Sequence, residues 1–176
     1  MDSMDTQYDV VAFGAHPDDL EHAMGGTIIK MVRDGLRVLL VHATSGEGAT
    51  HGNKDLRRDE ALEAARMLGV EAIFLDFEDM NVRDTPEARK VVARVIRRAR
   101  PHLVFAPYYN YPHMHPDHEQ LGQIVRGVTR LVRIRNYIPE IDPHYVKHFF
   151  YYILPPEVKP TFLVDGYGGK ALDLFF

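Results

Sequence analysis

Short apolar runs of strand length alternate with amphipathic segments of helix length along the chain. The apolar runs predict strands over residues 8–13, 37–44, 72–75, 103–106, 148–154 and 161–164. The amphipathic segments predict helices that include residues 25–33, 55–68, 86–96 and 117–134. Strands that alternate with helices are typical of an α/β fold with a parallel sheet. We therefore expect a single α/β domain over residues 1–176, with ligands bound beyond the carboxyl ends of the strands.

Glycine and proline residues mark several of the predicted helix ends. Gly35 and Gly69 follow helical stretches, at positions where a C-terminal cap favours glycine. Pro86 and Pro116 suit the first turns of the helices that they open. Residues 45–54 are rich in Gly, Ser, Thr and Asn, and this composition predicts a loop.

Two polar clusters each come after a predicted strand. The N-terminal cluster is His16-Pro17-Asp18-Asp19, and the second cluster is His115-Pro116-Asp117-His118. Imidazole and carboxylate groups are the ligands that Zn²⁺ accepts when no thiolate is available, and this chain has no cysteine. Two such loops can supply three metal ligands and leave acid–base groups beside them. This arrangement predicts a hydrolytic zinc site.

The spacing within the clusters indicates which residues could bind the metal and which could transfer protons. His16 and Asp19 are three residues apart, so a helical turn would direct both side chains to one ion, with His118 as the third ligand. Asp18 would then lie near the metal without binding it and could act as general base and acid. An alternative is that Asp18 and Asp19 only cap the following helix.

The other residues of the second cluster have candidate roles as well. His115 could stabilise a developing oxyanion, and Asp117 could orient an imidazole, as carboxylates beside metal ligands often do. His102, His113 and His144 are interpreted as surface or loop histidines without a catalytic role.

Composition excludes several classes of function. The 176 residues carry a formal net charge of −4, which argues against a nucleic-acid-binding surface. We interpret the arginines of the third predicted helix, at positions 94, 97, 98 and 100, as its solvent-exposed face. No apolar run approaches the roughly 20 residues that a membrane span needs. Because no signal peptide is evident, we expect a soluble, cytoplasmic protein.

Two further motifs carry weaker signals. Gly25-Gly26 lacks the spacing of a phosphate-binding loop, and we expect these glycines to permit close packing of a helix against neighbouring backbone. Arg57 and Glu60 belong to a charged run that, taken alone, is typical of a solvated helix face.

With these motifs assembled, the sequence resembles the PIG-L/LmbE-like zinc-dependent de-N-acetylases over roughly residues 8–165. The family's A-H-P-D-D-x-E signature, with G-G-T close behind, is met by residues 15–21 and 25–27. Its T-x-G-E turn resembles residues 44–47, its R-x-x-E helix resembles Arg57 to Glu60, and its H-P-D-H element is met by residues 115–118. Four ordered motifs make the resemblance specific.

The resemblance implies a Rossmann-like three-layer domain used without a nucleotide. It also implies roles for the site residues: zinc held by His16, Asp19 and His118; Asp18 as general base and acid; His115 at the oxyanion; Asp117 orienting His115; and Arg57 contacting substrate. The implied substrate is an N-acetylglucosamine-type sugar conjugate. From composition we expect no nucleic-acid partner and no membrane span. A homo-oligomer is compatible with the sequence.

Two departures from the family pattern stand out. His113 occupies a position where many relatives have an acidic residue, and residues 166–176 replace a helical C-terminal segment, which we expect to be shorter here than in relatives. Two alternatives therefore stay open: a zinc hydrolase of a non-sugar amide, and a metal-binding relative with lost or reduced activity. Fe²⁺ would also suit two histidines and one carboxylate.

Overall fold

The computed structural model describes residues 7–48, 53–161 and 164. The strands are β1 (Val10–Gly14), β2 (Val38–His42), β3 (Glu71–Phe74), β4 (Leu103–Pro107) and β5 (His148–Tyr152). The helices are α1 (Asp19–Arg33), α2 (Lys54–Leu68), α3 (Pro86–Ala99) and α4 (Pro116–Leu131), and a short 3₁₀ turn covers Arg135–Tyr137.

All five strands are parallel and lie in the order β3-β2-β1-β4-β5. Alternate residues of β1 point to opposite faces of the sheet, as strand geometry requires. Val11 and Phe13 join a core with residues of α3 and α4, whereas Val10 and Ala12 join a core with residues of α1 and α2. The sheet therefore lies between two layers of helices, one on each face. The predicted α/β class with its parallel sheet is confirmed.

Local capping explains where the helices begin and end. The side chains of Asn53 and Thr85 accept hydrogen bonds from backbone N–H groups of α2 and α3, each at an N-cap. Gly69 closes α2 with φ of 75°, a conformation that favours glycine. Pro116 occupies the first turn of α4, as predicted.

The strand order decides where the site lies. β1 is the central strand and pairs with β2 on one side and with β4 on the other. The chain leaves β1 towards α1 and leaves β4 towards α4, which pack on opposite faces. Ligands of open parallel sheets bind in the crevice at such a reversal of strand order. The N-terminal cluster and the second cluster follow these two neighbouring strands.

Arg97 corrects our interpretation of the arginine-bearing face of α3. Its side chain is 1% exposed, so it does not belong to a solvated face. Its guanidinium donates to the carbonyl groups of Val132, Ile134 and Ile141 and makes a further short contact with that of Ile138. Arg97 therefore donates to backbone carbonyl groups of the segment that follows α4.

Three other expectations need comment. His144 lies in a loop, which the prediction allowed, but it is buried and not at the surface, and its Nε2 lies 2.6 Å from the Pro101 carbonyl oxygen. Thr161 and Val164 lie outside any strand, while residues 162–163 of the predicted last strand, and residues 166–176, fall outside the described residues. A Cβ built on Gly25 would meet no neighbour within 4 Å, so close packing does not explain that glycine.

In the part of the chain that is described, no helix has the length and apolar character needed to cross a membrane.

Candidate metal centre

The N-terminal cluster lies in the tight turn between β1 and α1. Asp18, the residue before the helix, has φ of 82°, and its side chain makes no capping hydrogen bond. The Asp19 carboxylate instead accepts hydrogen bonds of 2.9 Å from the backbone N–H groups of Ala15 and His16. These bonds fix the Asp19 carboxylate against the loop and leave Asp18 directed elsewhere. The turn thus gives the two adjacent carboxylates different environments.

The second cluster meets the N-terminal cluster across the crevice between β1 and β4. His118 Nε2 lies 3.0 Å from Asp19 Oδ2, and His16 Nδ1 lies 3.6 Å from the same oxygen. One ligand atom from each of these three residues can be chosen so that all lie within 4.8 Å of one another. The structure therefore brings together the three residues predicted to bind a metal.

The pKa values of His16 and Asp19 are shifted in opposite directions by the contacts within this group. Burial alone would lower the pKa of His16, but hydrogen bonds and charges from Asp19, with the Asp79 charge in addition, raise it to about 9. Burial alone would raise the pKa of Asp19, but hydrogen bonds from His118 and His16 hold it well below the usual range for a carboxyl group. The centre thus holds a carboxylate between two imidazoles.

Asp117 is fully buried beside the three predicted metal ligands. Its carboxylate accepts hydrogen bonds from the backbone N–H groups of Met80 and Val82, at 2.8 and 3.2 Å, and lies 3.2 Å from His16 Nε2. Asp117 contacts His115 through its backbone and not through its carboxylate: the Asp117 N–H donates to His115 Nδ1 over 3.3 Å. The carboxylate therefore orients His16, while the backbone of the same residue orients His115.

His115 lies at the exposed side of the group. Its ring packs edge-on against the His16 ring, with centroids 4.7 Å apart. Since Nδ1 accepts the Asp117 N–H, a neutral His115 ring carries its hydrogen on Nε2. Nε2 is therefore available as a donor, which is the group that a developing oxyanion needs.

Arg57 reaches this loop from α2. Its guanidinium donates to the Pro17 carbonyl over 3.1 Å and lies 3.6 Å from the Asp18 carboxylate. Its Nε is enclosed and makes no hydrogen bond among the described residues. Gly46 lies directly against it, since a Cβ there would fall 2.5 Å from that nitrogen. Arg57 therefore belongs to the site, although its charged run alone suggested a solvated face.

Asp79 is the residue of this site that sequence reasoning missed. Its carboxylate is 5% exposed and lies 3.1 Å from His16 Nε2. It also accepts hydrogen bonds from the backbone N–H groups of Gly48 and Met80, while Glu47 accepts from its own N–H. Asp79 follows β3, so the rule that ligands lie beyond strand ends could have found it. No spacing motif marks it, because its neighbours in the site are distant in sequence.

The donor set fits a divalent transition metal. Two imidazoles with one carboxylate are typical of catalytic zinc sites, which keep a position open for water or substrate. The hydrogen bonds that orient Asp19 and His16 are of the kind that hold metal ligands in place. A carboxylate at Asp18 and a donor at His115 flank the set. The arrangement suits hydrolysis of an amide or ester.

A family comparison agrees with this geometry. Residues 11–129, about two thirds of the chain, match the family model described as "PIG-L: GlcNAc-PI de-N-acetylase". The chain belongs to the PIG-L family. The matched region contains both clusters and Arg57, so the family assignment covers every residue of the candidate centre.

Individual PIG-L relatives share the fold and part of the sequence. The diacetylchitobiose deacetylase of Thermococcus kodakarensis is 34% identical over 170 residues, which cover 89% of this chain and 62% of that protein. A conserved protein of Thermus thermophilus has a solved structure with a TM-score of 0.82 and 34% identity, covering 90% of this chain and 71% of the other. The N,N'-diacetylchitobiose deacetylase of Pyrococcus horikoshii gives a TM-score of 0.83 and 29% identity, covering 90% and 64%. The chain thus spans between about 60% and 70% of the length of these relatives.

Proposed function

We propose that this protein is a metal-dependent de-N-acetylase that removes an acetyl group from an N-acetylglucosamine-type sugar conjugate. One observation carries the proposal: ligand atoms of His16, Asp19 and His118 converge beside a carboxylate, Asp18, that makes no capping hydrogen bond. A structural metal site needs no such neighbour, whereas a hydrolytic site does. Two relatives named as deacetylases support the same interpretation of the site.

The metal would be held by His16, Asp19 and His118, with Zn²⁺ as our first choice because two imidazoles and one carboxylate suit it. When bound, such an ion supplies Lewis acidity at the scissile carbonyl and lowers the pKa of the attacking water. Asp117 and Asp79, which lie 3.2 and 3.1 Å from His16 Nε2, would hold that imidazole in position.

Asp18 would move the proton. Its side chain is 61% exposed and is directed away from the amides that occupy Asp19, so it is free to accept a proton from the attacking water. It would then return that proton to the departing amine. Arg57, whose guanidinium lies 3.6 Å away, would hold the Asp18 carboxylate in place and supply positive charge beside the substrate. A positioned acid–base group of this kind contributes about 10²–10⁴ in rate.

His115 would stabilise the charge that develops on the acetyl oxygen. The Asp117 N–H bond to Nδ1 leaves Nε2 as a hydrogen-bond donor, and the exposed position of the ring keeps that donor accessible to substrate. Asp117 would act as the orienting residue for His115 through its backbone and for His16 through its carboxylate.

The experiment combines metal analysis with a substrate panel. Purified protein should carry about one zinc or iron per chain and should deacetylate diacetylchitobiose or another N-acetylglucosamine conjugate. His118→Ala should lose the metal. Asp18→Asn should keep the metal but lose about 10²–10⁴ in kcat. Asp34→Asn is a matched control, because Asp34 is also 61% exposed but lies at the far end of α1.

Each outcome separates the alternatives. Turnover of simple amides with no activity on sugar conjugates would favour a non-sugar amide hydrolase. Metal binding without turnover on any panel member would favour a metal-binding relative with lost activity. An Asp18→Asn variant that keeps turnover close to that of Asp34→Asn would overturn the general-base assignment. A folded chain that takes up no metal would refute the proposed function as a whole.

A further inference from the structure

Gly46 lies where the side chain of Arg57 crosses the loop that follows β2. A Cβ built on Gly46 would fall 2.5 Å from Nε of Arg57, 3.1 Å from its Cζ and 3.2 Å from its Cδ. Three consecutive atoms of one side chain therefore occupy the space that a side chain at position 46 would need. Arg57 lies flat across Gly46, and its Nε is enclosed there without a hydrogen-bond partner among the described residues.

The path of Arg57 from α2 to the candidate centre depends on this crossing. Arg57 belongs to the start of α2, but its guanidinium donates to the Pro17 carbonyl over 3.1 Å and lies 3.6 Å from the Asp18 carboxylate. The loop after β2 packs against the same turn, because Thr44 donates to the Ala15 carbonyl from both its N–H and its hydroxyl. The guanidinium therefore reaches the turn between β1 and α1 by passing over this loop at a residue without a side chain.

The neighbouring arginine contacts the same loop in a different way. Arg58 donates to the Ser45 hydroxyl over 3.1 Å and to the Asp76 carboxylate over 2.6 Å. Its guanidinium also lies 4.2 Å from the centre of the Phe74 ring. Arg58 is thus held on the β3 side and uses a side chain of the loop as an acceptor. Arg57, in contrast, requires that the side chain at the crossing be absent.

Backbone conformation alone does not explain the glycine at position 46. Gly46 has φ of 66°, in the left-handed region that favours glycine. Met80 and Arg100 have φ of 62° and 51°, so this chain accommodates side chains at such angles. Gly35 has φ of 85°, and a Cβ there would meet nothing within 4 Å. Gly46 differs from all three because Arg57 fills the space beside its Cα.

We propose that Gly46 is a positioning residue for Arg57, since its missing side chain lets the guanidinium reach the Pro17 carbonyl and the Asp18 carboxylate. Any side chain at position 46 would push the end of Arg57 aside and break its hydrogen bond to Pro17. The effect on catalysis rests on the proposed function, in which Arg57 holds the Asp18 carboxylate. The placement of Arg57 by Gly46 does not depend on that function.

The first test is NMR of the arginine Nε–H groups, which requires no activity. Because the Arg57 Nε is enclosed, its hydrogen should exchange with water more slowly than that of Arg135, whose side chain is 64% exposed. Arg57→Lys identifies the signal by removing it. Gly46→Ala should bring the exchange rate of the Arg57 hydrogen close to that of Arg135, whereas Gly35→Ala should leave it slow. A slowly exchanging Arg57 hydrogen in Gly46→Ala would overturn the proposal.

The second test is a double-mutant cycle on kcat/KM, with diacetylchitobiose or the conjugate that the wild type hydrolyses best. Gly46→Ala should lower kcat/KM about 10- to 100-fold, the usual effect of a displaced site group, and Arg57→Ala should do the same. The double variant should be no slower than Arg57→Ala, because no arginine is left to displace. Gly35→Ala should keep the wild-type value. Losses that multiply in the double variant would refute a role through Arg57.

Melting temperatures separate positioning from general disruption of the loop. Gly46→Ala and Gly35→Ala both place a methyl group at a positive φ, so both should lower the melting temperature by a similar amount. The further clash at position 46 involves the end of a flexible side chain, which can move away. A much larger fall for Gly46→Ala, in step with its activity, would contradict the proposal. If the wild type hydrolyses no conjugate, the proposed function fails, and the NMR result alone decides the role of Gly46.

Discussion

Gly122 lies where α4 crosses β4, and an added methyl group would force the two apart. A Cβ at this position would overlap the backbone carbonyl oxygen of Pro107 and would fall 3.0 Å from Cβ of Tyr109. Neither the strand carbonyl nor the Tyr109 Cβ can rotate away, so the helix itself must shift. α4 carries His118, whose Nε2 lies 3.0 Å from Asp19 Oδ2. Gly122→Ala should therefore disturb stability and the metal centre together.

The magnitude follows from two opposing effects. Replacing glycine by alanine inside a helix stabilises the fold by about 0.5–1 kcal/mol through backbone entropy. Forcing extra volume into a packed contact costs about 1–3 kcal/mol. Gly25→Ala is a matched control, because Gly25 lies inside α1 with nothing within 4 Å of its Cβ position. The helix-propensity gain is common to both variants, so Gly122→Ala should be less stable than Gly25→Ala by about 1–3 kcal/mol.

Urea unfolding of the two variants and the wild type measures this difference directly. Gly25→Ala should be more stable than the wild type, and Gly122→Ala less stable than Gly25→Ala. Zinc affinity should fall in Gly122→Ala only, since only that change displaces the helix that carries His118. If the two variants have equal free energies of unfolding, the contact between α4 and β4 is not as tight as the geometry implies, and the reasoning is refuted.

Two further predictions concern buried side chains away from the metal centre. Arg97→Met should lower the free energy of unfolding by about 3–5 kcal/mol in urea unfolding, because several backbone carbonyl groups lose a charged donor from a buried side chain. The side chain of Arg94 is 40% exposed, so Arg94→Met should change stability little, and equal effects of the two substitutions would contradict the assignment. Burial lowers the pKa of His144, so the folded state binds a proton less readily than the unfolded chain and stability falls as pH drops through about 6.5. His144→Gln keeps a hydrogen-bond donor for the Pro101 carbonyl but cannot titrate. Between pH 7.5 and 5.5, its melting temperature, measured by calorimetry, should therefore fall less than that of the wild type. Equal falls in melting temperature would refute this prediction.

The proposed function depends on the asymmetry between two adjacent carboxylates. Asp19 is fixed by the amides of Ala15 and His16, whereas Asp18 has a positive φ and a side chain that caps nothing. A conformation with positive φ is unfavourable for most residues other than glycine and is often found at functional sites. Here it directs one carboxylate towards the metal ligands and leaves the next one accessible to substrate.

The sequence by itself determined the type of each main element. Hydrophobic periodicity is a local property, so strands and helices could be predicted from neighbouring residues, and Pro86, Pro116 and Gly69 marked helix ends through their own backbone preferences. Each half of the candidate centre was also predictable, because His16 and Asp19 lie in one short motif, as do His115 and His118.

Only the tertiary structure decided which distant residues meet. The order β3-β2-β1-β4-β5 places the two clusters on neighbouring strands, and the loop after β3 brings Asp79 to His16 Nε2. The same packing buries Arg97, which lies in a charged run and looks solvent-exposed by composition. Local periodicity contains no information on strand order or on contacts between loops, because these depend on how all the layers pack together. The chemical character of the candidate site residues could be predicted from the sequence, whereas their relative positions are determined by the fold.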